Sequence, residues 1–327
     1  MEKLVSRDFS IDILKFLAVF LIINSHMDAL YVKYEMLATG GAIGDTLFLF
    51  ASGYTLFLSS KTLRFDNWYK RRFNRIYPSV IVCSIIGAVL VGADSVKLIK
   101  LAGGEFVVAI MCYYMLLYFI KQYALRYVSY ILIGVGLLSI AVYWLWFPYK
   151  YETSSKGIYG ITTLFRWIPY FAFMLLGSWM GVKRQSIKYR TGLDFLLMAL
   201  CFGVFYGIQF AAKKCSVIAP FQIVTLLPLM GIVYYFWKWC HADLWKKIYS
   251  HKYGNAFVMT ISGLCLESYM IQYSLFTTKM NGIFPLNLPI MIVIVLSVAF
   301  ACKCMARWFM QTFKEDDYKW KKIFELY

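Results

Sequence analysis

"SIDILKFLAVFLIINSHMDALY", residues 10–31, is a long apolar run that carries Asp12, Lys15 and His26 inside it. About 20 apolar residues wound as a helix match the ~30 Å hydrocarbon layer of a bilayer, so the run reads as a membrane span over 11–30. A secretory signal has a shorter apolar core and then a small-residue cleavage site; this run is longer and has no such site, and it reads as an uncleaved first helix. A Lys or Asp at the centre of a spanning helix costs about 2.5–3.5 kcal/mol, so these ionisable groups call for a partner, a wet cavity or a function.

Similar runs recur at 42–60, 76–93, 104–121, 128–147, 164–182, 191–211, 216–237, 256–279 and 285–307. The 327 residues are 61% hydrophobic and 19% aromatic, with a mean hydropathy of +0.62, where a soluble protein is nearer half apolar. The expected fold is an all-α, polytopic membrane helix bundle of about ten transmembrane helices. It fills 1–327 as one integral-membrane domain and leaves only loop-sized polar stretches.

The net charge of +17 follows the loops. Lys61, Arg64, Lys70, Arg71, Arg72 and Arg75 fall in one connection, and Lys183, Arg184, Lys188 and Arg190 in another. Lys238, Lys246, Lys247 and Lys252 fall in a third, Lys303, Arg307, Lys314, Lys319, Lys321 and Lys322 in the last stretch, Lys121 and Arg126 at another turn, and Lys3 and Arg7 ahead of the first span. The alternate connections are poorer in Lys and Arg. That asymmetry places both termini in the cytoplasm and the chain as a multi-pass protein of the cell inner membrane. It also accounts for the basic excess without nucleic acid, for which no aromatic-basic surface is present. The partners expected from composition are membrane lipids. The stretch "WKWCHADLWKKIYSHKY", 237–253, reads as one amphipathic cytoplasmic helix on the lipid headgroups, which leaves His241 and His251 without a catalytic role. None of the eight cysteines forms a paired CxxC framework; they read as small packing residues, and no metal is expected. No internal repeat is visible, which disfavours an inverted-repeat transporter.

Lys15 and His26 are 11 residues apart. On a helix that is about 20° beyond three full turns, so both lie on one face, separated by about 16 Å along the axis. Asp12 is one turn from Lys15 and can pair with it. Asp45, at the outer end of the second span, has two readings: a carboxylate that orients His26 and raises its basicity, or a helix cap. Ser52 and Gly53 lie mid-span, where small residues admit a neighbouring helix or a ligand. Arg72 and Arg75, with Arg71 beside them, make a basic RxxR segment ahead of Pro78. Arginine forks bind phosphate bidentately. Arg166 opens the sixth span as an oxyanion or acidic-sugar ligand or as an interfacial anchor. Glu267 lies mid-span and needs a cation, Lys15 or an arginine. Tyr269, Gln272 and Ser52 are candidates to line a cavity.

These residues resemble the membrane acyltransferase-3 family of bacterial O-acyltransferases. Its signature is Arg, ten residues, then His in the first span, and "KFLAVFLIINSH", Lys15 to His26, has that spacing with Lys for Arg. "LFLFASGY" (47–54) is similar to the family's Phe-rich run into Ser-Gly-aromatic, and "RRFNRIYP" (71–78) to its basic RxxR. "RWIPYFAFMLLGSWMG" (166–181) and "ISGLCLESYMIQYSLF" (261–276) resemble its later segments, with Gln272 where a His often stands. The resemblance implies transfer of an acyl group, acetyl from acetyl-CoA above all, to a hydroxyl of a cell-envelope polysaccharide or lipid-linked sugar. The implied assignment has His26, Asp45 and Arg166 catalytic, with Lys15, Arg71, Arg72, Arg75 and Ser52 on the acyl-CoA. The competing reading is a transporter or flippase for a glycolipid or small solute, which also uses ionisable groups inside the membrane.

Overall fold

The apolar runs wind into helices, and no strand occurs among the described residues. A computed structural model describes residues 8–58, 64–92, 103–146, 157–159 and 164–325; Lys61 lies outside them. In chain order the helices are α1 (Phe9–Ser25), α2 (Gly41–Phe57), α3 (Phe65–Val91), α4 (Gly104–Tyr123), α5 (Val128–Trp146), α6 (Trp167–Lys183) and α7 (Thr191–Lys214). They continue as α8 (Leu226–Trp239), α9 (Asp243–Ser250), α10 (Lys252–Gly263), α11 (Cys265–Leu275), α12 (Asn287–Thr312) and α13 (Trp320–Phe324).

Each apolar run falls on one or two of these helices. Among the described residues, six helical segments are long and apolar enough to cross a membrane: Phe65–Val91, Gly104–Tyr123, Leu125–Trp146, Thr191–Lys214, Ala219–Trp239 and Asn287–Thr312. α1, α2 and α6 have 17 residues each, about 25 Å of helix, at the short end of the spanning range. The run at 256–279 is broken at Leu264, whose φ of −94° and ψ of 5° separate α10 from α11.

Three boundaries differ from the sequence reading. α1 stops at Ser25, so His26 sits in the turn beyond it and not inside a helix running to residue 30. α3 starts at Phe65, ahead of the apolar run, so Arg71, Arg72 and Arg75 ride on a helix where a loop was expected, and Pro78 lies within that helix. The stretch 237–253 is the end of α8, a turn, the short α9 and a break at His251, not one amphipathic helix.

The chain divides into two compact units, with the division inside α1. The first is Met1–Leu14, Ala42–Thr62 and Phe119–Ser250. There α5 packs on α6 and α7 on α8, and α2 meets α6 backbone to backbone. A Cβ on Gly53 would overlap the Met174 carbonyl oxygen, and one on Gly177 would overlap that of Phe50. At Gly181 it would lie 2.8 Å from the Tyr54 oxygen. Small residues on both helices admit that approach, and a bilayer offers no hydrophobic force to replace it. Gly53 is therefore a packing residue.

The second unit is Lys15–Gly41, Leu63–Tyr118 and His251–Tyr327. α3, α11 and α12 pack on one another around Val82, Cys83, Leu264, Ile271, Ala299, Cys302 and Ala306. Cys83 and Cys302 fill space in that core, as the cysteine spacing suggested. Phe16 on α1 meets Phe257 on α10 at 5.6 Å.

Candidate active site

The end of α1 is held by side chains that satisfy backbone groups a helix terminus leaves open. Asn24 Nδ2 donates to the carbonyls of Leu37 (2.8 Å) and Thr39 (3.0 Å), and Tyr31 Oη donates to Asn24 Oδ1 at 2.5 Å. A Cβ on Gly41 would lie 2.6 Å from Ser25 Oγ, so the returning chain can pass α1 this closely only as glycine. Beyond the turn, Asn281 Nδ2 donates to the Ala29 carbonyl and Asn287 Nδ2 to that of Leu30, both at 2.9 Å. His26 is thus fixed on either side by asparagine contacts. Its ring lies 4.7 Å from that of Tyr273 on α11, centroid to centroid. The Tyr273 hydroxyl is 2.6 Å from Nδ1 and 3.1 Å from Nε2. Nothing local in the sequence marks Tyr273, because its partner is 247 residues away.

Lys15 is on α1, eleven residues before His26, and belongs to the same unit. So do Arg71, Arg72 and Arg75. Arg71 and Arg75 are exposed and one turn apart on α3. Arg72 is half-buried, its guanidinium 4.5 Å from the centroid of the Trp68 ring. Trp68 is buried and donates its indole N–H to the Tyr114 carbonyl at 3.1 Å. The tryptophan thereby fixes the arginine stem, a cation–π arrangement that suits the flat guanidinium better than an ammonium. Arg72 Nε is buried and makes no hydrogen bond.

Asp45, Arg166 and Ser52 fall in the first unit. α2 begins at Gly41, so Asp45 lies past its first turn and is not its cap, which removes the capping alternative. The Tyr170 hydroxyl donates to Asp45 Oδ2 at 3.5 Å, and the Arg166 guanidinium is within electrostatic reach of the same carboxylate. Arg166 Nη1 donates to the Tyr159 carbonyl at 2.8 Å. Asp45, Tyr170 and Arg166 therefore form one polar group, which the sequence did not join. Ser52 is buried beside Gly53 on α2.

Glu267 on α11 is fully buried. Its cation is neither Lys15 nor an arginine, as expected from the sequence, but Lys303 of α12, 2.8 Å from Oε1. Ser79 of α3 donates to the same oxygen at 2.5 Å. Glu267 therefore ties together the three helices of its core, and Lys303 points inward instead of marking a loop. Gln272 is fully buried, and neither amide atom makes a hydrogen bond among the described residues. Tyr269 packs on Phe106 at 5.0 Å.

His241 was read as a surface residue and is not one. It stacks on Tyr189 at 4.1 Å, meets Trp237 and Phe9 edge-on, and bonds the Trp237 carbonyl through Nδ1 at 3.0 Å. Asp8 Oδ1 is 3.8 Å from its Nε2, while Asp8 Oδ2 accepts from Tyr54 at 2.6 Å. Burial lowers the His241 pKa, with Asp8 opposing, and pushes Tyr189 up to about 12. Nearby, Tyr249 of α9 donates to Asp12 Oδ2 at 2.9 Å. His251 precedes α10 at the surface, where its carbonyl accepts from the Asn255 N–H and its ring lies 5.7 Å from that of Tyr253.

A family model described as an acyltransferase domain, of the acyltransferase-3 type, matches residues 8–306. No curated protein and no solved structure matches the chain.

Proposed function

The chain belongs to the acyltransferase-3 family of membrane proteins, and from that premise we propose that it transfers acetyl from cytoplasmic acetyl-CoA to a hydroxyl of a cell-envelope polysaccharide or lipid-linked sugar. The observation that carries this reading is the Lys15–His26 pair. It has the family's spacing, lies inside the matched region with Lys15 on α1, and ends at an imidazole in the turn that follows that helix. The proposed setting is the inner membrane, with about ten spans and both termini cytoplasmic.

In the proposed reaction the donor's phosphates meet Arg71, Arg72 and Arg75, whose guanidinium groups offer paired donors to anionic oxygens. Lys15 supplies positive charge further along the donor's path, and Ser52 a hydroxyl. His26 accepts the proton of the acceptor hydroxyl. The acceptor oxygen forms its bond to the acyl carbon, the C–S bond breaks, and the proton passes to the departing thiolate. In the carrier variant the His26 imidazole attacks the thioester carbonyl, the C–S bond breaks as the thiolate leaves, and the acceptor oxygen then takes the acyl group from the ring while its proton passes by way of the ring to the thiolate. Asp45 and Arg166, grouped with Tyr170, are proposed as the acidic and cationic catalytic groups, Arg166 serving as oxyanion or acidic-sugar ligand.

Purified membranes given labelled acetyl-CoA test the reading. Label appearing on an envelope glycan or lipid-linked sugar, and lost in His26→Ala at normal protein abundance, supports it. Movement of a glycolipid without modification would replace it with the transporter.

A further inference from the structure

Gln272 of α11 is fully buried, and among the described residues neither its amide oxygen nor its amide nitrogen has a hydrogen-bond partner. A primary amide carries two N–H donors and an acceptor oxygen, and leaving both ends unpaired away from water is costly. Ser268 and Glu267, the other buried polar side chains of this helix, do make bonds. Ser268 donates to the Leu264 carbonyl at 2.6 Å, and Glu267 Oε1 takes Ser79 and Lys303. Gln272 is the residue of α11 whose polar capacity is wholly unused.

Its place along the helices says what could use it. Ile271, in the core shared with α3 and α12, and Tyr273 each stand about 100° round α11 from Gln272. Cys265 and Ser268, both buried, share its face at the spacing 265, 268, 272. α3 and α11 run parallel, because Ser79 meets Glu267 and a Cβ on Gly87 would lie 3.0 Å from Ser274 Oγ. Arg75 precedes Ser79 by one turn, so Gln272 stands about 14 Å beyond Arg75 along these helices. It is one residue short of Tyr273, whose hydroxyl is 2.6 Å from His26 Nδ1. A chain-like ligand with its anion at the arginines and its reacting end at His26 reaches the level of Gln272 just before that end. We propose that Gln272 recognises the amide of the acetyl-CoA arm nearest the thioester. Oε1 accepts the N–H of that amide, and Nε2 donates to a carbonyl oxygen of the same arm. Both partners are neutral, so the pairing puts no uncompensated charge into a buried site. The acceptor sugar approaches His26 from the other leaflet, whereas Gln272 is on the arginine side of it.

This rests on acetyl-CoA being the donor, so the experiment separates the pairing from that reading. Membranes holding the full-length protein are given acetyl-CoA or an analogue whose thioester-proximal amide is an ester, with oxygen in place of the N–H. Transfer of labelled acetyl gives KM and kcat, and thermal unfolding in nanodiscs without donor reports the fold. In wild type the KM for the analogue should lie about 10- to 100-fold above that for acetyl-CoA, the range for one buried partner left unpaired. Gln272→Met keeps an unbranched side chain of similar length. It should raise the KM for acetyl-CoA into the same range, treat the two donors alike, and unfold at a temperature no lower than wild type. Equal KM values for the two donors in wild type would overturn the pairing and leave the donor reading standing. So would a Gln272→Met protein that still prefers acetyl-CoA. A lower unfolding temperature in Gln272→Met would make the amide a structural group and overturn the proposal. If wild type neither transfers acetyl from acetyl-CoA nor is stabilised by it, the donor reading falls and the pairing with it.

Discussion

Each of the three histidines of this chain has a tyrosine ring beside it, and His26 and His241 show how different such a neighbour can be. His26, in the second unit, has the Tyr273 hydroxyl 2.6 Å from Nδ1 and 3.1 Å from Nε2, in a turn whose backbone is held by asparagines. His241, in the first unit, is stacked flat on Tyr189, flanked by Trp237 and Phe9, and has Nδ1 committed to a backbone carbonyl. The first arrangement leaves the ring partly accessible. The second surrounds the imidazole with aromatic faces and uses it as packing. Residue type and neighbouring residue type are nearly the same. The difference is in which atoms touch.

The largest expected effect breaks the comparison at its centre. His26→Ala should abolish acyl transfer, by about 10²-fold or more for a lost general base, with membrane abundance unchanged. His241→Ala should do the reverse: lower abundance and thermal stability, with activity per folded molecule retained. Equal losses of specific activity in the two variants, measured with labelled acetyl-CoA, would erase the distinction.

How far this was readable before the coordinates depends on where the signal resides. Apolar runs are local, so each run carries helix among its described residues, although the first ends at Ser25 and the run at 256–279 is broken at Leu264. The Lys15–His26 spacing is local too, although α1 ends at Ser25 and His26 falls in the turn just past it. The RRFNR segment was misplaced as a loop because basic composition is the mark of both a loop and a helix that leaves the membrane; only Trp68 reaching Tyr114 decides between them. The Tyr273 partner of His26 and the Lys303 partner of Glu267 depend on which helices pack, and no spacing in one sequence encodes that. His241 was misread for the same reason. Asp8, Tyr54 and Tyr189, which define its surroundings, come from three other parts of the chain.

A smaller effect sharpens the comparison within the second unit, by altering the cationic residues and leaving the His26 contacts alone. Arg75→Ala should raise the KM for acetyl-CoA about tenfold, the scale of one charge-assisted bond, with kcat nearly unchanged. An unchanged KM would remove Arg75 from the phosphates. Lys15→Arg restores the family's usual residue and should keep activity within a factor of a few, since the charge is retained. A collapse of activity would mean that the slender ammonium, and not charge alone, is required there.

The smallest effect tests the His241 half through pH. Burial holds the folded pKa of His241 below its ordinary value, although Asp8 pulls the other way. Above about pH 6.5 the ring is neutral in both folded and unfolded chains, and its titration adds nothing to the pH dependence of stability. As pH falls below that, the unfolded chain takes up a proton that the folded one refuses, so stability declines until the folded pKa is reached. His241→Phe keeps an aromatic wall against Tyr189 but loses the bond to the Trp237 carbonyl, which costs on the order of 1 kcal/mol. It should start less stable at pH 8 and then lose less on acidification, so the gap between the two melting curves narrows toward pH 5. A gap that widens instead would mean that the imidazolium is welcome beside Asp8. His241 would then be a charged group held by a carboxylate and not a neutral ring held by aromatic faces.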